Sequence, residues 1–207
     1  MIDFIYNKDD FEKQSLMKNQ IFRLNTLLPD NLFQEELDNF LFFQSDFIYT
    51  DGFLRGIQTL INKEGNQSFV FYTLSPDPAS YFFFYFKKYS VAIIPINATK
   101  QDYFNFLHRD PGGNLADSLW SNGETVGVFS ESLDWGLFAS KDWEIGVVGF
   151  KTDKVKKLFI ESFKEDVGPG KIFDTLDSYM EEYNNMFHWK EENIARWNKL
   201  RSNYLNK

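Results

Sequence analysis

Cysteine is absent from this chain of 207 residues. That removes thiol catalysis, Cys-ligated zinc and disulfide staples, and it suits a reducing compartment. Histidine is almost absent: His108 and His188 are far apart in sequence, with no partner at the i,i+4 spacing of a helical metal site. Local roles account for both. His108 falls in the last turn of a predicted helix, where a cation suits the dipole, and His188 stands beside Trp189 in an aromatic cluster. No metal and no cofactor are expected. Long apolar runs are also missing, since 81–86 and 91–96 are the longest and a bilayer span needs about 20 residues. Asp3, Asp9 and Asp10 stand near the start, where a secretion signal would carry positive charge. The expectation is a cytoplasmic protein that neither spans a membrane nor leaves by the ordinary signal.

Positive charge is scarce in one stretch. The net charge of the whole chain is −8. Residues 110–150 carry one basic side chain, Lys141, against Asp110, Asp117, Glu124, Glu131, Asp134, Asp142 and Glu144. A field of that sign repels nucleic-acid phosphates and anionic lipid and attracts a basic protein. It also serves plain solubility. The sole basic run, Lys151, Lys154, Lys156 and Lys157, reads as a solvated helix face.

What the chain has in excess is aromatic: 19% of residues, with 24 Phe. Most of these rings must be core, with some left for a binding surface. Asp9 and Glu12 have capping-box spacing, and Met17, Ile21, Leu24 and Leu28 recur at helical intervals, so a helix over about 9–25 is expected. A second helix is expected from Pro29-Asp30, with Leu32, Phe33, Leu37, Phe40 and Leu41 as its apolar stripe. The pattern at 53–62 fits helix or strand equally. Residues 67–74 read as a strand. Asp77 and Pro78 favour a helix through Lys88, against a strand reading of the aromatic run. Residues 91–96 read as a buried strand, Thr99 as a helix cap, and 114–121 as a brief helix.

Residues 124–150 change period. Segments 125–130, 135–139 and 143–150 are short, β-rich and separated by turns, which predicts a three-stranded antiparallel meander. From 152 onward three apolar stripes predict helices, with Gly168-Pro169-Gly170 as a connection. The expected fold is α+β: one domain over 1–207, with a mostly helical region at 1–66, a sheet-containing core at 67–150 and C-terminal helices at 151–207.

No catalytic motif is legible. Ser130 and Ser132 lie outside a nucleophile elbow and have no neighbouring histidine. Residues 168–171 lack phosphate-loop spacing, and Pro169 removes a backbone donor. The carboxylates Glu131, Asp134, Asp142 and Glu144 lie on neighbouring strands or turns, where two facing each other would serve a small hydrolase or transferase. Charged residues at strand ends also guard sheet edges. Two Asp-Trp pairs remain, Asp134-Trp135 and Asp142-Trp143. Indoles beside carboxylates suit an interface in which the ring anchors and the acids select a basic partner. Both indoles in the core is the competing reading.

The residues Ser132, Asp134, Trp135, Gly136, Phe138, Asp142, Trp143 and Glu144, followed by the apolar run 145–150, resemble the corresponding segment of small bacterial immunity proteins of polymorphic toxin systems. The resemblance covers roughly 68–150. It implies a non-enzymatic, cytoplasmic, acidic protein that binds a cognate toxin domain, and it carries over no catalytic residue. The expectation is therefore a toxin-binding role through Glu131, Asp134, Trp135, Asp142, Trp143 and Glu144. The alternatives are a carboxylate hydrolase or transferase, and a housekeeping interaction or homodimeric domain.

Overall fold

In a computed structural model, which describes residues 2–113, 115–164, 172–187 and 191–205, six strands form one antiparallel sheet. They are β1 (Asn39–Gln44), β2 (Ser68–Ser75), β3 (Val91–Pro95), β4 (Thr125–Ser130), β5 (Trp135–Ser140) and β6 (Ile145–Phe150), ordered β1-β6-β5-β4-β2-β3. The meander β4-β5-β6 forms the centre of the sheet, with Trp135 opposite Phe150 and Val128 opposite Leu137. All three strands are buried at every position. Both faces are covered, which explains why their sequences run apolar without alternating.

The helices are α1 (Lys8–Ile21), α2 (Asp51–Glu64), α3 (Phe84–Phe86), α4 (Lys100–His108), α5 (Leu119–Asn122), α6 (Asp153–Ser162), α7 (Leu176–Phe187) and α8 (Glu191–Leu205). One sheet face, with Leu41, Phe43, Phe69, Phe71, Val128, Trp135, Leu137 and Phe150, packs under α2, α4 and α6 through Phe53, Ile57, Leu60, Phe106 and Phe159. The opposite face, with Phe42, Tyr72, Phe129, Phe138, Ile145 and Val147, packs under the end of α1, the 22–38 segment, α7 and α8. Side chains of this kind each contribute about 1.5–3 kcal/mol when buried, so the two layers hold the sheet from both sides. Gly136 lets the end of α1 close on the sheet, because a Cβ there would stand 2.1 Å from Ile21 Cγ2.

Helix ends follow local signals. Thr50 caps α2, and Gly65 ends it in the left-handed region at φ 77°. Asp77 accepts from the amides of Ala79 and Ser80 and starts a π-helical turn at Pro78–Phe83 that runs on into α3. This settles the aromatic run as helical. Thr99 and Asp102 form a capping box at α4.

Three expectations are corrected. The first helix is capped by Asn7 rather than Asp9 and ends at Ile21, so Leu24 and Leu28 lie beyond it. No second helix follows Pro29. Residues 22–38 are irregular, and 39–44 form β1, so the stretch up to residue 66 is helical only at α1, at α2 and in a short 3-10 turn, Ser45–Tyr49. The cause is pairing. The Arg23 amide donates to the Leu32 carbonyl, the Gln34 amide to that of Ile21, and the Asn31 side chain turns the chain at Phe33. Third, β3 is an edge strand with Ile93 42% exposed, not a fully buried one. Its rim is met by Ile5, whose amide donates to Val91 and whose carbonyl accepts from Tyr89. The other rim, on β1, is met by Asp174, which exchanges two backbone hydrogen bonds with Phe42.

Candidate functional site

The turn before β5 (131–134) and the turn after it (141–144) lie at opposite ends of the sheet. Six strand residues at about 3.3 Å each separate them by roughly 20 Å. The expected patch is therefore two sites. Glu131, Asp134 and Trp135 belong to one end, and Asp142, Trp143 and Glu144 to the other.

At the first end Trp135 is fully buried and meets Phe159 edge-on, ring centroids 5.9 Å apart. Its indole Nε1 donates to Glu64 Oε1 at 2.8 Å. Trp135 is a core residue, which corrects its assignment as a partner anchor. Glu64, at the end of α2, also accepts from Asn66 at 3.1 Å. Burial raises its carboxyl above the ordinary range. Hydrogen bonds from Ser130, Trp135 and Asn66 oppose the rise, and the charge of Asp134 adds to it. Asp134 is half-buried, 3.6 Å from Lys151 Nζ. Ser130 and Ser132 share a hydroxyl hydrogen bond at 2.8 Å. Glu131 is exposed at the turn.

At the second end the side chains stay accessible and are held in place. Asp142 is exposed and accepts from Arg196 Nη2 at 2.8 Å. The Arg196 guanidinium lies over the Trp143 ring, 3.5 Å from its centroid, as a cation–π contact. Trp143 is half-buried and stands edge-on to Trp197 at 6.0 Å. Glu144, at φ 53°, receives the Tyr183 hydroxyl on its carboxylate and the Tyr179 hydroxyl on its carbonyl, the latter at 3.3 Å. Burial, with the Glu144 charge behind it, holds both phenols protonated far above their usual range. Asp46 and Glu124, both exposed, lie within electrostatic reach of Lys141. Burial nevertheless lowers the Lys141 ammonium pKa, and the ammonium donates to the Trp120 carbonyl at 2.6 Å.

The four carboxylates suggested for hydrolysis do not converge, since Glu131 and Asp134 sit a strand length from Asp142 and Glu144. Among the described residues no three His, Cys, Asp or Glu side chains gather as metal ligands. His108 is exposed and lies in an aromatic row, 4.7 Å from Trp120 and 6.4 Å from Phe104. His188, Trp189 and the 168–171 connection lie outside the described residues. In the basic run, Lys156 donates to Asn39 and to the Phe40 carbonyl and Lys151 faces Asp134, while Lys154 and Lys157 lie exposed on α6, as a solvated helix face would have them.

The residues that sequence reasoning missed are Glu64, Arg196, Tyr179 and Tyr183. The two tyrosines and Trp197 were visible as apolar stripes of the last helices. Nothing in the stripes indicated that they would brace the 141–144 turn. Compared with known proteins, the chain matches no family model, no curated sequence and no solved structure.

Proposed function

We propose that this chain is a non-enzymatic, immunity-type protein of the cytoplasm that binds and neutralises a cognate toxin domain, with the 141–144 turn at the centre of its contact. One observation carries the reading. Trp143 is part-exposed, clamped by Arg196, and flanked by the exposed acids Asp142 and Glu144, with Asp46 in the 3-10 turn and Glu124 before β4 also within electrostatic reach of the adjoining Lys141. A fixed ring inside a carboxylate rim suits a basic protein partner. The indole supplies burial on contact, the charges steer the approach, and prior bracing by Arg196 and Tyr183 lowers the ordering cost of binding. The resemblance of 68–150 to immunity proteins supports the same role. Among the described residues no helix is long and apolar enough to cross a membrane.

The test is an affinity capture from cells of the source organism, using the full chain and the variant Asp142→Lys/Glu144→Lys. The full chain should retain a basic toxin domain in stoichiometric amount, and the variant should lose most of it. Equal capture by both would reject the site. Absence of any stoichiometric partner would reject the role.

A further inference from the structure

A half-open cavity of about 650 Å³ lies between the 22–38 segment and the β4–β5 face, and a second of about 490 Å³ continues it toward α1. Leu27, Ser75, Thr125 and Phe138 line both, so the two adjoin and are taken together as one channel. Apolar side chains occur along its length among polar ones: Leu28 and Trp143 in one half, Phe22, Leu32 and Leu74 in the other. That size falls in the range of small-molecule sites.

The charges along the channel are sorted. Lys18 and Arg23 line the α1 half, and Glu124 and Asp142 line the other. Each half also holds one group of the opposite sign, already engaged. Asp77 accepts from the Ala79 and Ser80 amides, and Lys141 donates to Trp120. The carboxylates of the far half have partners too: Glu124 accepts from Ser75 Oγ at 2.8 Å, and Asp142 accepts from Arg196. The cations differ. Neither the Arg23 guanidinium nor the Lys18 ammonium forms an ion pair among the described residues. Thr125, on the shared wall, is 8% exposed, and its buried hydroxyl has no hydrogen-bond partner. Buried hydroxyls are ordinarily satisfied.

We propose that this channel binds an anionic amphiphile, an aliphatic carboxylate. Its head group meets Arg23 and Lys18, and its chain lies along Phe138 and Leu28 toward Trp143. The guanidinium fork matches a carboxylate, while Glu124 and Asp142 repel an anion from the far end and so set the ligand's direction. The inference goes beyond toxin binding and does not depend on it.

Calorimetry on the full chain with decanoate, decanol and decyltrimethylammonium, all below micelle formation, tests it. Decanoate should bind one per chain and about tenfold or more tighter than the other two, as expected for a charge-assisted head-group contact. Arg23 is half-exposed, so Arg23→Gln should fold normally, weaken decanoate by a similar factor and leave decanol unchanged. Three results would overturn the proposal: no saturable decanoate binding, equal or better binding of the cationic amphiphile, or an unchanged decanoate affinity in the variant. Decanol binding as tightly as decanoate would also overturn it, and would mark the channel as a seat for an apolar side chain of a protein partner.

Discussion

At the start of β5 an indole, Trp135, is enclosed by the sheet and donates to a half-buried carboxylate, Glu64. One strand later another indole, Trp143, lies part-open beneath a guanidinium and between two exposed acids. The sequence around them is nearly the same, Asp-Trp-Gly against Asp-Trp-Glu. The environments differ because of phase and partner. Trp135 is already in the ladder, opposite Phe150, and points under α2 and α6. Trp143 precedes Ile145, the first residue of β6, and rests against α8. Trp135 is thus committed to the core, whereas Trp143, in the adjoining turn, keeps part of its ring at the surface.

The largest test of that contrast is truncation of each ring. Trp135→Ala should cost about 3–5 kcal/mol in denaturant unfolding, the range for emptying a buried aromatic site. Trp143→Ala should cost about 1 kcal/mol and act mainly on partner binding. Equal losses of stability would erase the distinction. Next in size is charge. Asp142→Lys/Glu144→Lys should slow association with a basic partner by about tenfold at low salt, and added salt should narrow the gap. Asp134→Lys, at the far end, should leave the rate nearly unchanged, and stopped-flow mixing would compare the two. An equal slowing by both would mean a contact that spans the whole strand.

The smallest effect is a pH dependence at Glu64. Its carboxyl is raised in the folded chain relative to the ordinary value of 4.5. The native state therefore holds this proton more tightly than the unfolded state does. Its contribution is greatest below the unfolded value, declines as pH climbs through the raised folded value, and is level above that. Glu64→Gln keeps an oxygen for the Trp135 indole and removes the charge. It should flatten that decline and leave the chain at least as stable near neutral pH. A variant less stable at neutral pH would show that the ionised carboxylate is worth more to the indole than its burial costs.

Much of the sheet was legible because turns punctuate it: β4 and β5 lie within a residue of the predicted meander, and β6 within two. The failure at 29–41 has a physical origin. Strand β1 buries Leu41 and Phe43 on one face and Phe40 and Phe42 on the other, so its apolar residues lack the alternation that identifies a strand. The segment before it owes its shape to hydrogen bonds with residues 21–23, a contact that periodicity does not report. The candidate patch was half legible. Asp142, Trp143 and Glu144 do share a surface, but ten residues of sequence spanning a strand are a long distance in space. The braces from α7 and α8 come from more than thirty positions downstream.

The short contacts made by Ile5 and Asp174 have a consequence for how this molecule behaves at high concentration. A six-stranded sheet rich in phenylalanine is good raw material for fibres, which grow when an outermost strand recruits a copy of itself. Here each outermost strand already holds a piece of its own chain, and Pro95 withholds a donor at the tip of β3. Growth past Val91 on one rim or Phe42 on the other would first require peeling that piece away.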